Sequence, residues 1–247
     1  MFNKQNTTVV IQGPVYEYTP EFIEAYLIYG IENIIFSTWE NENTDCCQVP
    51  VIKSKLPTHT GTGNINLQVI SSVNGIKKAE TDYIIKVRSD ILIRDIDKWL
   101  EFCSEHYKKE RIFVLGLSYL YPFSPRDQIF IGVKDTLLNM FDIPLKDEDW
   151  KMPSIYDTLY PEVCLGLNHH RKYDGIAQKC WENYNYIHSI EVKEHWNKIK
   201  GNYMFPVSKN MIYDWPKHFP NGYDYNNKSH GEFWFEDIQE LTTKGLQ

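Results

Sequence analysis

Short runs of β-branched and aromatic residues, apolar on both faces, recur between stretches of helical spacing. This alternation narrows the fold more than any other feature of the chain. Thr8-Val9-Val10-Ile11-Gln12 ends at Gly13-Pro14; Asn33-Ile34-Ile35-Phe36-Ser37-Thr38-Trp39 and Val49-Pro50-Val51-Ile52 follow, and the run from Tyr83 to Ile93 is the strongest. Strands that are apolar on both faces belong to parallel sheets covered by helices on each side. Between them, Thr19-Pro20-Glu21 reads as a helix cap with Pro at the first helical position, and Phe22, Ile23, Tyr26 and Leu27 keep helical spacing as far as Gly30. A second helix is expected over roughly 66–80, with Leu67, Ile70, Val73, Ile76 and Ala79 facing inward. The order β-α-β-β-α-β predicts an α/β domain with a central, largely parallel sheet flanked by helices. Helices near 96–107 and 134–141 and strands at 112–116 and 128–132 extend it, and from about 196 aromatic residues among Gly, Pro and Asn replace the regular pattern. No repeat or composition break divides the chain, so one domain is expected.

Composition restricts the function classes. Of 247 residues 42% are hydrophobic and 24% charged, the profile of a folded domain rather than a disordered or coiled-coil chain. The formal net charge of −7 argues against a broad nucleic-acid surface, which needs clustered Lys and Arg, but leaves room for an anionic small molecule held by a few local cations or a metal. No apolar run reaches the roughly 18 residues that cross a bilayer. The opening residues Met1 to Thr8 lack the apolar stretch of a secretory leader, so a cytoplasmic or membrane-peripheral location is expected. Five cysteines without a CxxC pair make a disulfide framework or a structural zinc site an unfavoured reading. The 15% of aromatic residues fit either a sugar-stacking surface or, as the favoured reading, a bulky core.

Candidate chemistry sits where a strand breaks its own pattern. Side chains alternate across a strand, so Ile84, Lys86, Arg88, Asp90 and Leu92 share one face of the run 83–93. That face should be apolar in a doubly covered sheet, yet it carries two cations and a carboxylate toward the strand's carboxyl end. Ligands of open α/β sheets bind outside those ends, and a buried charge costs several kcal/mol unless paired or metal-bound. An internal Arg88–Asp90 or Lys86–Asp90 ion pair is the plainer reading, and a ligand site the favoured one. The small-residue linker His59-Thr60-Gly61-Thr62-Gly63-Asn64 opens into the second helix, where free backbone N–H groups would favour an anion. It matches no phosphate-loop pattern, and Asn64 or Asn66 as an ordinary N-cap accounts for much of it.

Three ordered blocks carry a resemblance: Val9-Val10-Ile11-Gln12-Gly13-Pro14-Val15, then Asn64-Ile65-Asn66-Leu67-Gln68-Val69-Ile70-Ser71-Ser72 with Gly75 and Ala79 behind it, then Lys86-Val87-Arg88-Ser89-Asp90. Over roughly residues 8–95 the chain resembles the WavE lipopolysaccharide-synthesis family, whose members are taken to be glycosyltransferases of bacterial surface polysaccharides and of some large viruses. A looser echo runs through Asp127-Gln128-Ile129-Phe130-Ile131-Gly132 and Pro161-Glu162. The resemblance implies a GT-A-like, Rossmann-like fold, with a nucleotide-sugar-binding half over about 1–110 and an acceptor-binding half over about 111–247. It also implies a nucleotide-sugar donor and a glycan or glycolipid acceptor. Ser89-Asp90 would be a reduced DxD motif, with Asp90 holding Mn²⁺ or Mg²⁺ against the donor diphosphate. Arg88 or Lys86 would assist, Gln12, Gly13 and Pro14 would line base and ribose, and Asn66 and Gln68 would reach the nucleotide sugar.

The literal DxD, Asp95-Ile96-Asp97, is the competing metal site, although Asp just before Trp99-Leu100 is an expected helix cap. An inverting transferase needs a general base, usually a carboxylate, for which Asp127 and Glu162 are the candidates against a surface turn and a first-turn Glu. His169-His170 make a poor chelating pair, while His195, His218 or His230 would supply a late metal ligand only as the lesser reading. Cys164 and Cys180 lack a partner base for nucleophilic chemistry, and the aromatic tail 213–235 is either an acceptor lid or a wrap around the core. Two other functions stay open: sugar nucleotidyl transfer, which generally uses a cation-bearing loop after the first strand where this chain has Gln12-Gly13-Pro14-Val15-Tyr16, and non-catalytic carbohydrate binding.

Overall fold

A computed structural model of the chain describes residues 1–115, 125–146, 161–173, 184–186 and 194–196. The first four expected strands form as β1 (Thr7–Gln12), β2 (Ile34–Trp39), β3 (Val51–Ser54) and β4 (Tyr83–Arg88). Helix α1 (Thr19–Ile28) joins β1 to β2, and α2 (Ile65–Lys78) joins β3 to β4 after a tight turn at Thr62–Asn64. Then come β5 (Ile91–Ile93), α3 (Ile96–Glu105), β6 (Ile112–Val114), β7 (Ile129–Val133), α4 (Lys134–Met140), α5 (Pro161–Tyr173), β8 (Tyr184–Tyr186) and β9 (Glu194–Trp196).

Seven of these strands make one sheet in the order β3-β2-β1-β4-β7-β6-β8. β3, β2, β1 and β4 run parallel, as expected, and β7 enters antiparallel to both β4 and β6. The reversal positions chemistry. Val87 pairs with Ile129, so the residues just before β7 lie beyond the carboxyl end of β4 rather than at the far edge. Gln12 pairs with both Ser37 and Arg88, which sets the ends of three strands in one row along that edge.

Alternation gives the sheet two distinct faces. Val9, Ile11, Phe36, Ile85, Val87, Ile129, Ile131 and Phe113 pack with Phe22, Ile23 and Tyr26 of α1 and Trp99, Leu100 and Cys103 of α3 into one apolar core. The opposite face meets α2, α4 and their neighbours, and several of the largest aromatics (Tyr26, Phe36, Trp99, Phe113, Phe130, Phe141) are fully buried, in keeping with the core reading of the aromatic content.

Three local expectations are corrected. The run 83–93 is not one strand: β4 stops at Arg88, Ser89 and Asp90 turn, and β5 leaves to pair with β9 in a second, two-stranded sheet. The inward face of α2 is not the predicted apolar stripe. Ile76 and Ala79 are buried, but Leu67, Ile70 and Val73 are half-buried, and Gln68, Ser71, Ser72 and Gly75 lie inside with Ile65 and Val69. The helix sits so close to the sheet that a Cβ on Gly75 would stand 2.5 Å from Val10 Cγ1 and 3.0 Å from Ser37 Cβ. Ser37 Oγ donates to the Ser71 carbonyl at 2.7 Å, so small and polar residues suit this contact and branched ones do not. Thr19 begins α1 without capping it, its Oγ1 instead accepting the Tyr16 N–H at 2.8 Å. None of the described helices is long and apolar enough to cross a membrane.

Candidate functional site

At the carboxyl edge of β1, β2 and β4 lies a cavity of about 500 Å³, lined in part by Gln12, Gly13, Pro14, Gln68, Arg88, Ser89, Asp90 and Asp127. Backbone pairing continues past the strands to build its floor. Ser89 N–H donates to the Gln12 carbonyl at 2.8 Å and Gly13 N–H to the Ser37 carbonyl at 3.1 Å. Gly13 has φ 138°, and a Cβ there would strike the Ser89 hydroxyl, so only glycine allows the β1 loop to lie this near the β4 turn.

Arg88 is the centre of the charge arrangement. Its Nε donates to Asp90 Oδ1 at 3.0 Å and its Nη2 to Asp90 Oδ2 at 2.8 Å, a two-bond fork. Nη1 stands 3.8 Å from Asp127 Oδ1. Burial works against this charge, but Asp127 and Asp90 outweigh it and hold the guanidinium above its usual value. Asp127 also accepts from Gln68 Nε2 at 3.1 Å, which explains why a buried glutamine belongs in the first turn of α2. The Arg88–Asp90 ion pair therefore exists and also faces a cavity, so the plainer reading and the ligand reading meet in the same residues.

Other expected residues stand elsewhere. Lys86, one strand repeat back from Arg88, is fully buried and absent from the described lining. Its Nζ donates to the Asp127 carbonyl at 2.8 Å and lies 5.2 Å from the centre of the Phe130 ring. Burial pulls its pKa down to about 8, with the Asp127 charge opposing. Asn66 does not line the cavity among the described residues. Its Nδ2 donates to the carbonyls of His59 (2.8 Å) and Lys146 (2.7 Å), and its Oδ1 accepts the Lys146 N–H, tying two loops together. The Gly61 and Thr60 carbonyls take the amides of Asn64 and Asn66, so those two N–H groups are not free for an anion. Neither Asn64 nor Asn66 caps α2 with its side chain.

Glu162 is the second residue of α5, whose first, Pro161, packs against Gly63 beside the cavity; Glu162 itself is absent from the described lining. Burial pushes its carboxyl up to about 7, and the negative charge of Asp127 adds to the effect. Asp95 precedes α3 as expected but makes no cap bond, and Asp97 pairs with Lys4 at 2.7 Å on the surface; neither lines the cavity among the described residues. Cys164 is buried, which drives its thiol up to about 12 and suits no nucleophile. His169 is buried within α5, and His195 falls in β9 opposite Leu92. Cys180, His218, His230 and the tail 213–235 lie outside the described residues, as do the side chains of His170 and His195. Sequence reasoning missed Tyr16, Trp39, Asn41 and Glu42, which also line the cavity. Trp39 ends β2 and Asn41 and Glu42 follow it, and the rule that drew attention to the ends of β1 and β4 applies there equally.

The donor set suits a hard divalent cation in one respect and resists it in another. Among the described lining residues one cation, Arg88, stands with three carboxylates, Glu42, Asp90 and Asp127, so an anion entering here would meet a net negative lining. Asp90 offers hard oxygen ligands, but both accept from Arg88, so an ion there would share the carboxylate with the guanidinium charge. Among the described residues no group of three Asp, Glu, His or Cys could hold a metal alone, leaving the rest of its shell to phosphate oxygens and water.

A family model described as WavE lipopolysaccharide synthesis matches residues 7–193. No curated protein matches the sequence. Among solved structures, a cytidylyltransferase from Leptospira borgpetersenii is 13% identical with a TM-score of 0.37, covering 57% of this chain and 66% of its own. HddC from Yersinia pseudotuberculosis is 14% identical with a TM-score of 0.42, over 81% of this chain and 95% of its own. A glycosyltransferase involved in glycosylation of the major capsid of PBCV-1 is 13% identical with a TM-score of 0.43, over 74% and 81%. Likeness at this level says nothing about residue roles or reaction.

Proposed function

Since the chain belongs to the WavE lipopolysaccharide-synthesis family, we propose that it is a glycosyltransferase, moving a sugar from a nucleotide-sugar donor to a hydroxyl of a surface glycan. The observation that supports this reading best is the Arg88–Asp90 fork flanked by Asp127 on the floor of an open cavity at the sheet's carboxyl edge. Gln12, Gly13 and Pro14 line the nucleoside side, and Gln68 meets the donor from α2. Arg88 binds a phosphate oxygen of the leaving group. A divalent ion held by Asp90 would neutralise charge on the departing diphosphate. In a transfer with inversion, the bond from the sugar's anomeric carbon to phosphate oxygen breaks as the acceptor oxygen attacks. The acceptor proton passes to a carboxylate. Asp127 takes that role because it lines the cavity, with Glu162 of α5 as the alternative carboxylate. The loop after β1 carries no cation of the kind nucleotidyl transfer generally uses, which favours consumption of an activated sugar over its synthesis.

Thermal unfolding with UDP, GDP, CDP, CMP and dTDP, each with and without Mn²⁺, tests the reading. A nucleotide at about 100 times its Kd adds roughly 2.7 kcal/mol, a rise of several degrees for a chain of this size. The expected result is a shift for one nucleoside diphosphate that needs Mn²⁺ and is lost in Asp90→Asn. No shift with any nucleotide in a cooperatively melting protein would overturn the reading and turn attention to glycan binding.

A further inference from the structure

Lys86 has no part in the chemistry above, and its placement calls for an account. A fully buried lysine is costly, and a methionine of similar volume would fill the same space beside Phe130 and Phe141 at lower cost. What methionine could not supply is the bond from Nζ to the Asp127 carbonyl, made at 2.8 Å from the middle of β4. The neighbouring backbone bond, Arg88 N–H to the Gln128 carbonyl at 3.1 Å, ties the same segment to the end of the same strand. Two consecutive carbonyls before β7 are thus held by two residues of β4. The side chain of Asp127 is then met by Gln68 and Arg88. The backbone is fixed from within the core, and the carboxylate is aimed from the cavity.

We propose that Lys86 is a positioning residue, holding the Asp127 carbonyl from inside the core so that the Asp127 carboxylate stands at a fixed place in the cavity. This rests on the reading of Asp127 as the base. The charged groups around Lys86 are Asp127 and Glu162 from other segments, Arg88 in its own strand and Asp90 in the turn beyond it. None of them replaces the bond to the carbonyl. A misplacement of about 1 Å can cost on the order of a hundredfold in rate, whereas donor binding, which Lys86 does not touch, should hardly change.

The test compares wild type with Lys86→Met by hydrogen exchange and by steady-state hydrolysis, with water as the acceptor, of nucleotide sugars built on the base that the nucleotide panel identifies. Faster exchange is expected at the amides of residues 126–129, with kcat lowered at least tenfold and the donor KM within about threefold of wild type. If Lys86→Met does not melt cooperatively, Lys86→Gln, whose amide is one bond short of the carbonyl, carries the same expectations. Unchanged exchange, unchanged kcat, or a loss appearing in donor KM alone would overturn the proposal. A wild type that binds the nucleotide yet transfers no sugar would instead sink the transferase reading, and exchange would still decide whether Lys86 holds the segment.

Discussion

Two cations on one strand face carry the same sequence signal and have different roles. Alternation places Lys86 and Arg88 on the same side of β4, but it does not say how far along the strand the cavity reaches. Two residues advance a strand by about 6–7 Å, enough to take Arg88 to the cavity floor and leave Lys86 in the core. The charged interruption was legible, whereas the depth of each charge was not. Glu162 shows the same limit, because nothing in Pro161-Glu162 announces a carboxyl raised to about 7 by burial. Its consequence is measurable. From about 4.5, its ordinary value, to about 7 the folded chain holds a proton that the unfolded chain has released, so stability falls as pH rises through that window. Glu162→Gln cannot ionise and escapes the loss. The variant should melt near wild type at pH 4.5 and several degrees above it at pH 8, as read by calorimetry across pH. Equal melting temperatures at both would mean that the carboxyl titrates as an ordinary one.

Among the elements, the parallel strands β1 to β4 and the helices joining them were legible because doubly apolar runs and helical spacing leave few other folds. Strand direction was not. The run at Ile129 reads alike whether it enters parallel or antiparallel, yet only the antiparallel β7 brings Asp127 to Arg88. Helix α2 was legible as a helix and misread as to its inner face. The hydrophobic stripe assumes a spacing set by large side chains, whereas Gly75 against Val10 and Ser37 sets a closer one. Gly75→Ala should destabilise the protein by about 1–3 kcal/mol through overpacking. Val73→Ala, at a half-buried position where alanine is the better helix former, should cost less. Urea unfolding of the two variants decides, since a stripe-packed helix would give the reverse order.

For the whole molecule, charge works against its proposed ligand. The chain carries a formal net charge of −7, and the described cavity lining sets one arginine against three carboxylates. Without a divalent ion, a nucleoside diphosphate should therefore bind more tightly at about 300 mM salt than at about 20 mM, because screening weakens a net repulsion. Titration calorimetry in EDTA would read this directly, and the opposite salt dependence would mean that Arg88 dominates the field. The other feature on this scale is the division of Tyr83 to Ile93 between two sheets, with Ser89 and Asp90 as the only residues between them. Each sheet fixes its own register, so the length of this joint is set twice over. One inserted residue would turn every side chain of β5 to the wrong face, while an exchange of side chain at Ser89 or Asp90 leaves both ladders intact. In evolutionary terms, selection on the architecture alone would keep the spacing of the motif while leaving its chemistry open to change. The two-residue gap is thus a fossil of the fold, one that would outlast any change in what its side chains do.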